Sequence, residues 1–171
     1  MACNFYEGIA LNCNDGIGGV QQIWITEFAS VTASTVTSGT VTALTQAAST
    51  KFWLIDAAPE NIMFTQATAG TMNTPYSVTQ QVSFTINKPT AKLKNWLQTT
   101  RQNRFMVLIK DGNSTYQLMG ATRGAYVEKN DTTSGKALSE FSGYTFTFTA
   151  KEPEEAYYVQ SSVVTGLSVG A

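Results

Sequence analysis

The sequence predicts a mainly β protein: an antiparallel β-sandwich or barrel with one packed α-helix at about residues 88–101 and with long loops or arms. Three observations predict it. Gly143-Tyr-Thr-Phe-Thr-Phe-Thr-Ala puts Tyr144, Phe146 and Phe148 on one face of an extended chain and Thr145, Thr147 and Thr149 on the other. That is the period-two alternation of a sheet with one buried face. Asp111-Gly112 stands between Phe105-Met-Val-Leu-Ile and Tyr116-Gln-Leu-Met, and both turn positions tolerate positive φ, so the pair reads as a hairpin. Leu93, Trp96, Leu97 and Thr100 recur at the spacing of one helix face.

In chain order, residues 1–19 read as irregular, because Asn12-Cys-Asn-Asp-Gly-Ile-Gly-Gly is dense in turn formers. A glycine-rich loop cradles phosphate between a strand and a helix. Here Val20-Gln-Gln-Ile-Trp-Ile-Thr-Glu-Phe follows, which reads as a strand, so the context does not match. Residues 31–36 and 40–45 read as two short strands around Ser38-Gly39, Thr- and Ala-rich and poorly specified in register. Lys51-Phe-Trp-Leu-Ile-Asp-Ala is a further strand. Residues 59–74 read as a long loop or an extended hairpin arm. Tyr76, Val78, Val82, Phe84 and Ile86 then alternate with polar residues, and Gln80 is the one polar exception on the apolar face. A strand of this length is expected to project beyond its sheet. Pro89 fits the first turn of the helix, where its missing donor costs nothing. Trp96 is expected in the core. Residues 129–139 are expected to form a mobile solvated loop, and Glu152-Pro-Glu-Glu to break the last strong strand. The expected organisation is one β domain over residues 1–152 and a C-terminal extension over residues 153–171, for which no partner strand is evident.

At 171 residues the chain is long enough to bury a core without staples. Charged residues are scarce, and Thr, Ser, Gln and Asn fill the polar positions. A free monomer normally uses Lys and Glu to stay apart from its neighbours, so this surface favours self-assembly. The charge is also uneven: before Asn87 there are five acids (Glu7, Asp15, Glu27, Asp56, Glu60) against Lys51 alone. There is no strongly basic stripe of a nucleic-acid reader. Cys3 and Cys13 follow neither a basic start nor an apolar run, so synthesis in a reducing cytoplasm with both as thiols is expected, a bridge between them being the alternative.

The chain has no His, which excludes Ser–His–Asp and Cys–His catalysis. A zinc site is not expected from two Cys alone. Glu152, Glu154 and Glu155 could act as paired carboxylates, but a Pro-interrupted polar run reads as a solvated face. Glu27 ends an apolar strand and stands alone. No catalytic, cofactor or metal site is expected.

The early Cys13-Asn-Asp-Gly-Ile-Gly-Gly before Ile23-Trp24-Ile25, the Leu108-Ile109-Lys110-Asp111-Gly112 turn, and Ser134-Gly135 followed by Ser142-Gly143-Tyr144-Thr145-Phe146-Thr147-Phe148 carry a resemblance. With several short strands, one helix before the last strands and a Thr-rich surface, the chain resembles tail tube proteins of long-tailed phages. It is most similar to small tail proteins of Bacteroidetes-type phages. The resemblance covers most of the chain. It implies a structural, non-enzymatic subunit whose hexameric rings stack and join their inner sheets into one barrel through which DNA passes. It also implies other tail proteins as partners, no membrane, and a place in the virion after synthesis in the host cytoplasm. A wall for sliding DNA should avoid Lys and Arg, since each neutralised phosphate adds affinity. The acidic N-terminal half is therefore expected to supply more of the inner wall, with Glu27 and Asp56 as candidate lumen-facing residues. Two alternatives stand: another tail component (a terminator, completion or baseplate hub protein), or a carbohydrate-binding β-sandwich with Trp24, Trp53 or Tyr157 as sugar platforms.

Overall fold

Phe105-Met-Val-Leu-Ile is apolar at every position because both faces of its strand are covered. Val107 and Ile109 enter one core, and Met106 and Leu108 enter a second core on the opposite face. A strand buried on both sides reads as a continuous apolar run, not as an alternation. The computed structural model describes residues 18–71, 74–137 and 139–170. Cys3, Cys13 and most of the segment 12–19 lie outside the described residues.

The strands are β1 (Val20–Glu27), β2 (Val31–Thr37), β3 (Thr40–Gln46), β4 (Phe52–Ile55), β5 (Ile62–Thr71) and β6 (Thr74–Asn87). After helix α1 (Ala91–Thr100) come β7 (Phe105–Asp111), β8 (Tyr116–Met119), β9 (Tyr126–Thr133), β10 (Gly143–Glu152) and β11 (Tyr157–Val159). Helix α2 (Ser161–Thr165) and β12 (Val169–Gly170) end the described chain. An eight-stranded sheet runs in the order β12-β4-β1-β7-β8-β11-β3-β2, and a four-stranded sheet in the order β5-β6-β10-β9.

The fold is mainly β, as expected, but the larger sheet is mixed. β11 runs parallel to β3, and β12 runs parallel to β4. Both parallel strands come from the segment after Glu152, which is therefore woven into the larger sheet and is not an appendage. Its short runs, Tyr157-Tyr-Val and Val169-Gly, are too brief to show a sheet period. The larger sheet also curls. Val41 of β3 and Phe52 of β4, far apart in the strand order, share one apolar cluster. Gln46 closes the gap between those two strands: Ser168 N–H donates to its Oε1 at 2.7 Å, and its Nε2 donates to Ser168 O at 3.4 Å.

The main core lies between the two sheets. Phe84, Phe146 and Phe148 stack with centroids 5.2 and 5.9 Å apart, a spacing at which aromatic pairs add to area burial. α1 covers one end. Thr90 caps it, its side chain accepting from Leu93 N–H at 3.2 Å. The helix is thus shorter than expected, and Pro89 precedes the cap instead of sitting in the first turn. Leu97 and Thr100 are buried, whereas Trp96 is half-buried and meets Phe146 edge-on at 5.8 Å.

The turns divide into expected and unexpected. Ser38 and Gly39 both have positive φ, 49° and 75°, and make the two-residue hairpin between β2 and β3. At Asp111-Gly112 the positive φ falls on Ser114 instead, at 62°. The Asp111 carboxylate accepts from Asn113 N–H at 3.0 Å and Thr115 N–H at 2.7 Å, which fixes a longer loop. The first part of the expected loop over residues 129–139 is strand: β9 runs to Thr133 and pairs Lys129 with Thr147, Asn130 with Phe146 and Asp131 with Thr145, and the described residues after it are loop. Its apolar periodicity is missing because an edge strand near the rim of the core needs little beyond Val127 on its buried side. The expected arm is present, as β5 paired with β6 from Ile62 to Thr71.

Candidate functional site

The two carboxylates singled out for a lumen are not brought together. β1 and β4 pair Ile23 with Ile55 and Ile25 with Trp53. Continued in both directions, that register sets Glu27 beside Lys51 and Asp56 beside Gln22, at opposite ends of the pair and on opposite faces. Glu27 is exposed and accepts from Asn103 Nδ2 at 3.1 Å. Asp56 is exposed just beyond β4.

Glu152, read as part of a solvated run, is buried at 3% exposure. Its Oε1 accepts from Thr122 N–H at 3.2 Å and Arg123 N–H at 2.8 Å, while Oε2 is buried without a hydrogen-bond partner. The signal was available: residue 152 continues the parity of Tyr144, Phe146, Phe148 and Ala150, so the alternation alone puts it on the core face. Gln80, the polar exception on β6, joins the same junction. Gly120 N–H donates to its Oε1 at 3.0 Å, and its Nε2 donates to Glu154 O at 3.0 Å. Ala156 N–H donates to Gln66 Oε1 at 2.7 Å. Gln80 and Glu152 thereby tie the crossover between the sheets to the turn after β8, and Gln66 ties it to β5. Tyr157 donates to Glu154 Oε2 at 2.9 Å. Burial, and then the Glu154 and Glu152 carboxylates, push its phenol above the ordinary value. The cleft at this junction has no room for a water molecule, so the cluster holds the fold together and offers no reaction site.

The sheet edges are the exceptional feature. Among the described residues β5 and β2 each pair with one neighbour only. Ile-Met-Phe-Thr-Gln-Ala-Thr-Ala-Gly-Thr of β5 and Val-Thr-Ala-Ser-Thr-Val-Thr of β2 contain no charge and no Pro. Soluble proteins normally protect such rows of unpaired N–H and C=O groups with Lys, Pro or a bulge; here neither strand has Lys or Pro, while the β2–β3 register shifts at Val31–Ala33 and Thr35–Val36 and the β5–β6 register shifts at Ala69–Thr71. The edge at β9 is guarded by Glu128, Lys129 and Asp131. Past Phe64 on β5 and before Val78 on β6 the described residues of the arm are exposed, including Tyr76 at 63%. Gly70, with φ 156°, lies under the Tyr76 ring: a Cβ there would come 2.7 Å from Cδ1.

The outer face of the four-stranded sheet is mostly small neutral side chains, with the exposed Lys151, opposite Thr79, ending the row. Thr85 opposes Thr145, Ser83 opposes Thr147, and Gln81 opposes Thr149. Its Lys129 is paired with Asp131 at 2.6 Å. Glu128 accepts from Gln81 Nε2 at 2.9 Å.

A groove of about 380 Å³ lies between α1 and the β1–β4 pair, lined by Glu27, Lys51, Trp53, Trp96, Thr99 and Asn103 among others. Of the three candidate platforms, Trp53 is 52% exposed. Trp24 is half-buried against Tyr116 at 6.3 Å, and Tyr157 is half-buried at the Glu152 junction. Among the described residues no group of three His, Cys, Asp or Glu is placed to hold a metal ion, and no helix is long and apolar enough to cross a membrane. No family model, curated protein or solved structure matches the chain.

Proposed function

We propose that this chain is a structural subunit of a long-tailed phage tail tube, assembling with copies of itself into stacked rings around a passage for DNA. The observation that carries the reading is the pair of long, uncharged, Pro-free edges at β5 and β2. An edge without charge or Pro, on a chain so poor in charge, is a template for strand addition by another copy, most of all along the regular stretch of β5 from Ile62 to Ala69. Two different edges on one subunit favour a head-to-tail contact, which closes into a ring, and stacked rings extend into a tube. The exposed β5–β6 arm supplies contact area beyond the ring.

The requirement that DNA not be gripped moves the wall from Glu27 and Asp56 to the outer face of the four-stranded sheet. Its Thr and Ser rows are neutral and Lys129 is paired with Asp131, so that Lys151, at the end of the Thr145–Thr149 row, is the cation this face offers to a phosphate. On this reading both halves of the chain line the passage, β5 and β6 from one and β9 and β10 from the other. The protein works in the virion and carries out no chemistry.

Replacing Ala67 and Thr68 on β5 by Lys puts one charge on each face of the edge strand. In sedimentation the unaltered protein should run as large particles, and the double variant as an 18.5 kDa subunit with an unchanged circular dichroism spectrum. A monomeric unaltered protein, or a variant that assembles equally well, refutes the proposal.

A further inference from the structure

We propose that the groove between α1 and β4 is a saccharide-binding subsite. It is floored by one face of the β1–β4 pair, because Ile25 and Trp53 are opposite one another and Glu27 and Lys51 continue the same face. Its wall is α1 and the residue just past it, which bring Trp96, Thr99 and Asn103 to the opening. At about 380 Å³ it has the size of a small-ligand site.

The lining selects the ligand class. Two indoles face the space, and both are held in place from behind. Trp96 is set edge-on against Phe146. Trp53 is seated on the backbone of β12, where a Cβ on Gly170 would come 2.6 Å from its Cε3. The Lys51 ammonium stands 6.0 Å from the Trp53 centroid and helps to fix the ring. Platforms that are already ordered lose little entropy on binding. Around them are the hydroxyls of Ser30, Ser49, Thr50 and Thr99 and the hydrogen-bonded Glu27–Asn103 pair. Thr50, Thr99 and Asn103 already donate within the protein, and a wholly apolar ligand would desolvate the acceptor lone pairs of these hydroxyls and of the Glu27 carboxylate without replacing their water. A phosphate or nucleotide would meet one Lys opposed by Glu27. A pyranose satisfies both sets: its C–H face stacks on indole, and its hydroxyls donate to the carboxylate in charge-assisted bonds. The site is independent of strand addition at β5.

The test is saturation-transfer NMR observed on the saccharide, with cellotriose and triacetylchitotriose as probes, which works on subunit or assembly alike. The unaltered protein should transfer saturation to pyranose ring protons. Trp53→Ala should cut the transfer about tenfold, and Glu27→Gln, a near-isosteric change at an exposed site, should cut it severalfold. Trp24→Phe, on the other face of β1, should leave it unchanged. No transfer to either probe, or transfer that survives both Trp53→Ala and Glu27→Gln, overturns the proposal. So does loss of assembly in Trp53→Ala together with no transfer from the unaltered protein, which would assign the groove to contacts between copies.

Discussion

Replacing Gln80 by Met should destabilise the subunit severely, although it exchanges a polar side chain in the core for an apolar one of similar length. Gln80 is 2% exposed, and both ends of its amide are used, Oε1 by Gly120 N–H and Nε2 by Glu154 O. Those partners are backbone groups and cannot be mutated away, so Met leaves one donor and one acceptor without partners. Each orphan costs about 1–3 kcal/mol. Better apolar burial returns roughly 1 kcal/mol, and the net loss is about 1–5 kcal/mol. The measurement is urea unfolding in the Ala67→Lys/Thr68→Lys background, so that assembly does not add to apparent stability. With a slope of about 2 kcal/mol/M the midpoint should fall by roughly 0.5–2.5 M. The Gly120 amide should also exchange faster with solvent. A midpoint shift below about 0.25 M would refute the reasoning, because it would mean that the clip between β6, the turn after β8 and the crossover contributes almost nothing.

Three further outcomes follow from the same structure. Trp96→Ala should cost about 2 kcal/mol, below the ~3–5 kcal/mol of a fully buried aromatic, because the ring is half-exposed; urea unfolding checks it, and a cost under about 0.5 kcal/mol refutes the packing role. Gly70→Val should loosen the arm tip, since a Cβ would meet Tyr76 Cδ1 at 2.7 Å and φ is 156°; amide exchange at Ala69 and Ser77 should rise about tenfold, for a strain of about 1–3 kcal/mol. The raised phenol of Tyr157 binds its proton more tightly folded than unfolded. Its contribution to stability is therefore present below the ordinary phenol value of about 10 and is lost as pH rises through the higher folded value; Tyr157→Phe should flatten stability against pH in that alkaline range only.

Much of the architecture could be read from residue patterns, and the failures have identifiable causes. The alternation at 144–149, the Ser38-Gly39 turn and the Leu93–Thr100 stripe each carry a local signal strong enough to survive tertiary context. β9 was hidden because an edge strand reaching past the core needs no apolar face. β11 and β12 were hidden because two or three residues cannot show a period, and their placement is set by the partners β3, β4 and β8. Glu152 was misread because Pro153, Glu154 and Glu155 after it signal solvent, while its own parity signals the core. Gln80 was visible as an exception, but its backbone partners lie 40 and 74 residues away. The groove combines β1, β4 and α1, and no sequence window contains all three. Glu27 and Asp56 were singled out by charge alone, and the register of β1 and β4, which sets them at opposite ends of the pair, could not be read from charge.

Negative-stain electron microscopy of the purified protein, raised in concentration without any partner, tests the central claim most directly. The unaltered protein should form rings and open-ended stacks of rings, and the protein with Ala67 and Thr68 replaced by Lys should remain as dispersed subunits. Single closed rings that never stack would point to a terminator-like component. Dispersed subunits from the unaltered protein at every concentration would contradict the account, because the uncharged edges at β5 and β2 would then have no partner among copies of the chain.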